Sequence, residues 1–599
     1  MKLFYCIVLL SLQISVVLAQ NPYHNFDYLD PLPGSKYINE EATIIIRPKP
    51  DINISTLSQT GAIKILTNNI IENSFSYKIS DGGRVVILKT TNNFRAPDSI
   101  YVYFTNLVKK TDGTSIEPFF YKFYITGNSI NKDIFSDYYR SIIYEDARSL
   151  INQSSSSISG IPALTVTYSN NPSPGKIFFN NLTRMPDPGN TPCLLIADND
   201  GNLVFAREMP EECFDLNIQP NGMLTYYDDS KGNYYAMNSN YEVIDSFYCG
   251  NGYSTDLHEL RILDNGHFLL MSYDNRAIAN IGGEFPMNVN VIGIIIQELD
   301  ENKDVVFQFR SWDHFLITDA THENLALSNI DYCHSNAIEL DNDGNLLISS
   351  RNMDEITKID RKTGRIIWRL GGENNQFTFI NDPDGFSHQH AIRRIKNGNI
   401  TLFDNGNFHN PPYSRAIEYK LDEVNKTATL VWQYRNDPDI YAPATGFVQR
   451  LENNNTLICW GLTNPTLCEV RYDGTKVLEM TLPQGVFSYR AFKYPWKELP
   501  NSEILPSAYS LIQNYPNPFN PVTTIKFTIP ALTAESTVQN VIIDIYDVKG
   551  SFIKNLLNDN YSSGTYSVKF DGNNLASGIY FYSVKMGNFS DTKKMILVK

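Results

Sequence analysis

Charge is what this sequence has least of. Asp, Glu, Lys and Arg make up only 19% of its 599 residues, below the quarter usual in globular chains, which excludes a coiled coil and extensive disorder. The charge present is lopsided: 50 Lys and Arg against 65 Asp and Glu, a formal net charge of −15 with no Lys/Arg-rich run. Such a chain does not bind nucleic acid or an anionic membrane surface, and an anionic substrate must be met by a local cationic pocket. Cysteine is also scarce, 7 in all and no CxxC pair, which argues against a zinc cluster. No GxGxxG, GxSxG or P-loop sequence occurs, which removes the dinucleotide, serine-hydrolase and nucleotide-triphosphatase readings. Beyond residue 20 no apolar run is long enough to span a bilayer.

What is present first is an address. Residues 1–20 read as a signal peptide, with Lys2, an apolar run to Leu18 and small residues at Val17-Leu18-Ala19. An exported chain can form disulfides. Cys459 and Cys468 flank a hairpin and could pair; buried free thiols are the other reading.

The rest of the chain divides by pattern, and the pattern is all-β. Residues 21–127 hold short alternating runs such as ATIIIRPKP, GGRVVILKTT and SIYVYFTNLV, which predict an N-terminal β-sandwich without chemical groups. Residues 128–190, rich in Ser, Asn and Pro, read as a connector, 191–497 as the central domain, 498–510 as a linker and 511–599 as a small C-terminal β-sandwich.

The central region repeats itself. CFDLNIQPNGMLTYY, HELRILDNGHFLLMSY, NAIELDNDGNLLISS, HAIRRIKNGNITLFD and GFVQRLENNNTLICWG each read as strand, polar turn, strand, and ADNDGNLVFA is a divergent sixth copy. Five or six such units predict a six-bladed β-propeller. Aligned on the turn residue, Phe214, His258, Asn336, His390 and Gly446 become equivalent. Equivalent positions in different blades surround one axis, so His258, Asn336 and His390 should converge. Eight of the nine histidines lie between His258 and His409. The two DNDGN segments read as Asp-Gly turns rather than calcium loops, because no EF-hand glutamate follows.

Two resemblances extend this reading. NYPNPFNPVTTIKF, IYDVKG, LASGIYFYSV and TKKMILVK resemble the C-terminal sorting domain of the type IX secretion system, which implies export through that machinery to the medium or the cell surface. The segments LHELRILDNGHFLL, CHSNAI with the Arg of LLISSRN, FSHQHAIRRIKNGNITLFDNG and SYRAFKYPW resemble the bacterial arylsulfate sulfotransferases. That family transfers a sulfuryl group from a phenolic sulfate ester to a phenolic acceptor through a sulfated histidine, with no nucleotide sulfate donor and no cofactor. The resemblance implies His390 as nucleophile, His258 and Tyr489 as further catalytic groups, and His334, Asn336, Arg351 and Thr445 around the sulfuryl oxygens; Thr445 and Tyr489 rest on looser local matches. His388 could orient the nucleophile or stand at the surface.

The chemistry asks for such groups. A sulfuryl group in flight carries charge on three oxygens, so positioning and electrostatics dominate, as in phosphoryl transfer. Arg351 supplies a fixed cation with forked donors, and a neutral imidazole is a competent nucleophile. Two other functions fit the same sequence: a non-catalytic secreted propeller that binds glycans or surfaces, and a metal-dependent lyase. The Asn and Arg at this centre disfavour the latter.

Overall fold

A computed structural model describes residues 24–67, 70–72, 75–126, 161–182, 191–278, 289–496, 509–511, 513–514, 516–529, 538–561, 564–587 and 589–599. The expected signal peptide lies outside these residues, as do most of the connector and linker. The described chain is all-β, with only single 3-10 turns between strands. It divides into two units, Met1–Trp496 and Lys497–Lys599.

In the first unit the alternating runs near the N-terminus form two four-stranded antiparallel sheets. One is ordered Phe26–Asp30, Ile44–Pro48, Val85–Thr90, Phe75–Ser80; the other Ile70–Glu72, Ile63–Thr67, Asp98–Phe104, Phe119–Ile125. Strand Phe119–Ile125 alternates buried and less buried residues, and Phe26, Ile46, Leu88, Ile65, Val102 and Phe123 from both sheets share one core. Tyr28 Oη donates to the Gln308 carbonyl at 2.6 Å and Arg47 to the Lys362 carbonyl at 2.8 Å, tying these sheets to the central region.

The central region is six antiparallel sheets. Five are built on consecutive four-strand runs: Cys213–Ile218 to Val243–Phe247, Leu260–Ile262 to Val305–Arg310, Ser335–Leu340 to Ile366–Gly371, His390–Arg394 to Thr427–Tyr434, and Phe447–Arg450 to Lys476–Thr481. The sixth takes strands from both ends of the region: Leu203–Glu208, Cys193–Ala197 and Lys176–Asn180 pair on to Ala491–Tyr494, with Phe178 opposite Phe492. Lys176–Asn180 and Thr165–Ser169, which the composition assigns to the connector, are therefore strands of the central sheets, the latter against Lys476–Thr481. Their partners lie at the far end of the region, and composition carries no trace of such a pairing.

One turn recurs in all six sheets. The backbone N–H of Gln219, Leu263, Asp341, Ile395, Leu451 and Asp198 donates to the carbonyl four residues on. The residue before that carbonyl has positive φ: glycine at 222, 266, 344, 398 and 201, and Asn454 with φ 67° in the fifth run. Asparagine is the side-chain residue that best tolerates this backbone, which explains the exception. Both DNDGN segments are such turns.

The stretch between His258 and His334 lengthens the two middle strands of its sheet, Phe268–Ile278 and Val289–Leu299, to 11 residues each and adds Asn329–Asp331 parallel to the second. Its GGEF segment falls outside the described residues. All six cysteines of the region are buried and free. Ile458, not Cys459, stands opposite Cys468, so the two thiols point to opposite faces of the sheet and cannot bridge.

The second unit has a three-stranded sheet (Ser510–Leu511, Val522–Ile529, Gly564–Asp571) and a four-stranded one (Phe552–Tyr561, Gln539–Asp547, Gly578–Met586, Phe589–Leu597). Ile525, Phe527, Ile543, Tyr582 and Met595 form its core.

Candidate active site

The five turn-aligned positions come together. Each stands at the start of the first strand of its sheet or just ahead of it, and the ladder slips at Phe214/Asn217, Ser335/Ala337 and His390/Arg393. Such bulges bend a strand and re-aim its side chains. The rings of Phe214 and His258 lie 5.7 and 5.9 Å from that of Tyr489, and His258 lies 5.6 Å from His334. Asn336 Nδ2 donates to the Gln389 carbonyl at 2.8 Å, next to His390. The Thr445 N–H meets His390 Nε2 at 3.3 Å, and the Gly446 N–H donates to the Tyr489 carbonyl at 3.3 Å. Arg351 enters from the turn after Leu346–Ser350, donating to Asn352 Oδ1 at 2.8 Å and to the Pro443 carbonyl at 3.4 Å. All seven residues singled out in the sequence are thus buried in one cluster.

Buried ions brace the strand starts from beneath. Arg490 Nη1 lies 3.1 Å from both Asp215 and Glu259, and its Nη2 donates to the Asn336 carbonyl at 2.6 Å. Arg393 grips Glu259 at 2.8 and 2.9 Å. Burial pushes the Glu259 carboxyl up, but Arg393 and Arg490 outweigh it and hold the group below its ordinary value. The residues next to Phe214 and His258, and the backbone of Asn336 itself, are in this way locked by charge-assisted bonds.

Three imidazoles face the centre, each held at Nδ1. His258 meets Asp256 and His334 meets Asp331, both at 2.6 Å; His390 meets Asn405 Oδ1 at 2.8 Å and the His388 carbonyl at 3.2 Å. Burial, then the nearby Arg351 cation, drives His390 well below the ordinary imidazole value, and the same two causes act on His388. His390 is therefore a neutral ring at neutral pH. Burial raises the Tyr489 hydroxyl far above its ordinary range, so it stays protonated and serves as a donor.

Polar atoms without partners mark the spot. Asn336 Oδ1, Thr445 Oγ1 and Tyr489 Oη are buried and make no hydrogen bond. Buried polar groups in native proteins are nearly always paired, and each orphan costs roughly 1–3 kcal/mol. Three around one centre point to a polar ligand. The backbone is held in the left-handed region at His334 (φ 48°), His388 (φ 52°) and Thr445 (φ 63°), conformations that persist where the surroundings impose them. At Thr445 the device is visible: a Cβ on Gly461 would fall 2.2 Å from Thr445 Oγ1, so only glycine lets the threonine in.

A cavity of about 620 Å³ opens beside this centre, lined by His322, Asp354, Phe386, Phe408 and Tyr413 among others, but by none of the seven residues. Asp354 Oδ1 accepts the His388 N–H at 2.6 Å, joining the cavity wall to the segment that carries His390. His388 is buried here rather than exposed, and Glu323 is 3.7 Å from its Nε2. The sequence reading missed Asp256, Asp331 and Asn405. The first two leave a faint signal as acids two and three residues ahead of a histidine; Asn405 leaves none.

The comparisons with known proteins agree with this geometry. Residues 513–599 match the secretion system C-terminal sorting domain, which places the chain among proteins secreted or displayed at the cell surface. No helix among the described residues is long and apolar enough to cross a membrane. The arylsulfate sulfotransferase AssT of Escherichia coli O6:H1 (strain CFT073) is 32% identical over 99 residues, 15% of this chain and 16% of that protein. AssT of Lelliottia amnigena is 33% identical over 79 residues, 12% of this chain and 13% of that protein. These alignments span about a sixth or less of the curated relatives. A solved protein of unknown function from Bacteroides caccae aligns over 54% of this chain and 99% of its own at 13% identity, with a TM-score of 0.34, too low to carry an argument. The decisive match covers residues 167–490, from the strand Thr165–Ser169 to Arg490; the chain belongs to the arylsulfotransferase family.

Proposed function

We propose that the chain is an exported aryl sulfate sulfotransferase that works by a ping-pong route through a sulfohistidine at His390. The six central sheets are read as blades of a β-propeller, with the first strand of each of the five consecutive runs, and Ala491–Tyr494 of the sixth sheet, nearest the axis. The paired N-terminal sheets and the C-terminal unit are read as β-sandwiches. The observation that carries the function is the cluster itself: one neutral imidazole, one guanidinium, two further imidazoles and three orphaned polar atoms at a single buried centre.

In the first half-reaction the His390 Nε2 lone pair attacks sulfur. The S–N bond forms as the bond from sulfur to the aryl oxygen breaks, and the phenolate leaves with that electron pair. Arg351, Asn336, Thr445 and His334 are assigned to the region of the sulfuryl oxygens, where fixed donors and a cation stabilise a loose transition state. A proton from His258 neutralises the leaving oxygen, while the Tyr489 hydroxyl, which burial keeps protonated, offers it a hydrogen bond. In the second half the acceptor oxygen attacks sulfur, the pair of the S–N bond returns to Nε2, and the acceptor proton replaces the one given up. Asp256 suits this traffic by orienting the His258 ring through its Nδ1.

Purified protein given 4-nitrophenyl sulfate and phenol should release 4-nitrophenol in proportion to phenol, and His390→Ala should abolish it. Brief exposure to the donor alone should add one sulfate-sized mass to the peptide carrying His390. Undiminished phenol-dependent turnover in the variant would overturn the assignment.

A further inference from the structure

Asp, Asp and Asn hold the three central imidazoles, and the odd one is the amide. Asn405 Nδ2 donates to the carbonyls of Ala442 at 2.8 Å and Thr445 at 3.0 Å. With its nitrogen committed there, the atom it turns to His390 is an oxygen, which can only accept. The His388 carbonyl, 3.2 Å from the same Nδ1, is a second acceptor. On the other side of the ring Nε2 faces a donor, the Thr445 N–H at 3.3 Å. A ring nitrogen between two acceptors carries the proton, and one that faces a donor carries the lone pair.

We infer that Asn405 is a positioning residue that fixes His390 as the Nδ1–H tautomer, keeping the Nε2 lone pair for sulfur, and that its neutrality is part of the function. This rests on the sulfuryl-transfer reading above. A carboxylate at the same place would also orient the ring, but it would favour the doubly protonated imidazolium and so block Nε2. An amide orients without inviting the second proton. The long Thr445 contact leaves the lone pair usable, and the N–H is free to turn to a sulfuryl oxygen once the S–N bond exists.

The amide also suits the intermediate. When Nε2 takes the SO₃ unit from the ester, Nδ1 keeps its proton and the ring becomes a positively charged leaving group. A neutral oxygen at Nδ1 stabilises that charge weakly, so the S–N bond stays labile toward the acceptor. A carboxylate would stabilise the charge or take the proton, and the sulfated enzyme would persist. The amide partner thus sets His390 apart as the nucleophile from His258 and His334, whose rings are held by carboxylates. The charged and titratable groups that act most strongly on His390 besides Asn405 are Arg351, His334 and His258, none of them a carboxylate, and His388 also bears on it, with the Glu323 carboxylate beyond at 3.7 Å from His388 Nε2.

The test uses the full chain labelled with ¹⁵N in histidine. In the wild type a ring with a protonated Nδ1 and a bare Nε2 should be assigned to His390 by the loss of its signals in His390→Ala, which leaves the rings of His258 and His334, also held at Nδ1 by acceptors, in place. In Asn405→Asp the acid limb of kcat/KM should move up by about 1–3 pH units, the shift an opposite charge at hydrogen-bond distance produces, and sulfated enzyme should accumulate during turnover. A wild-type His390 protonated at Nε2 overturns the inference, as does a pH profile of Asn405→Asp superimposable on the wild type. The tautomer measurement needs no variant at position 405 to fold. It also separates the two claims: a wild type with the Nδ1–H ring but no aryl sulfate turnover defeats the functional reading and leaves the tautomer assignment standing.

Discussion

The centre of the first unit and the core of the second unit are both buried parts of sheets, yet they treat polar groups in opposite ways. In the C-terminal unit the buried Asn514 donates to Thr523 Oγ1 at 3.0 Å and to the Pro516 carbonyl at 3.1 Å, while its N–H donates to Tyr582 Oη at 2.7 Å. Among the described residues of that unit, no side-chain polar atom is buried without a partner, and no residue other than glycine has positive φ. At the centre of the first unit, orphaned polar atoms of Asn336, His388, Thr445 and Tyr489 and the left-handed residues His334, His388, Ala391 and Thr445 gather around His390. Both regions draw stability from apolar cores; only one stores unsatisfied bonding capacity. The difference separates a fold that is its own end from one arranged around something it does not contain.

That contrast can be tested from its strong end to its weak one. Arg351→Met keeps bulk and removes the cation and its forked donors; transfer from 4-nitrophenyl sulfate should fall by roughly 10²–10³-fold, and a change below about threefold would remove Arg351 from the sulfuryl site. Gly461→Ala pushes a methyl into Thr445 and strains a left-handed turn, at a cost of about 1–3 kcal/mol, read as a lower unfolding midpoint together with lost activity. The pH profile is milder. Because burial and Arg351 hold His390 below the ordinary imidazole value of about 6.5, the lone pair survives mild acid and is lost only as pH falls through the lowered value. The acid limb of kcat/KM should therefore lie below pH ~6.5, and a limb above it would contradict a neutral, desolvated nucleophile. At the weak end, Asn514→Ala should destabilise the C-terminal unit by about 1–3 kcal/mol and leave the rate of transfer unchanged. An effect on the rate would mean the two regions are less distinct than their hydrogen bonding suggests.

Much of this was legible before any coordinates, for a physical reason. The recurring turn demands a left-handed residue, so glycine or asparagine marks it in every copy, and counting back from that mark reaches the strand starts where His258, Asn336 and His390 stand. The resemblance to a family added His334, Arg351, Thr445 and Tyr489, none of which occupies the repeat-equivalent position. What could not be read depends on pairing across distance. Asn405 meets His390 through a bulge and a neighbouring loop, and nothing in the segment LFDNGN announces it. Thr165–Ser169 reads as connector because the strand that completes it lies at the far end of the region. The cysteine bridge failed on a shift of one residue, which is all a strand needs to turn a side chain to its other face.

The sheet shared between Lys176–Asn180 and Ala491–Tyr494 has a temporal meaning. Tyr489 and Arg490 arrive only with the last strand of the first unit, so the centre cannot assemble until nearly the whole unit has been synthesised and the two ends of its central region have met. A chain interrupted before residue 491 would expose an unpaired edge and lack its braces. Among the described residues, every strand of the first unit's sheets lies between Phe26 and Tyr494, so the sheets that carry the centre borrow no strand from the sorting segment.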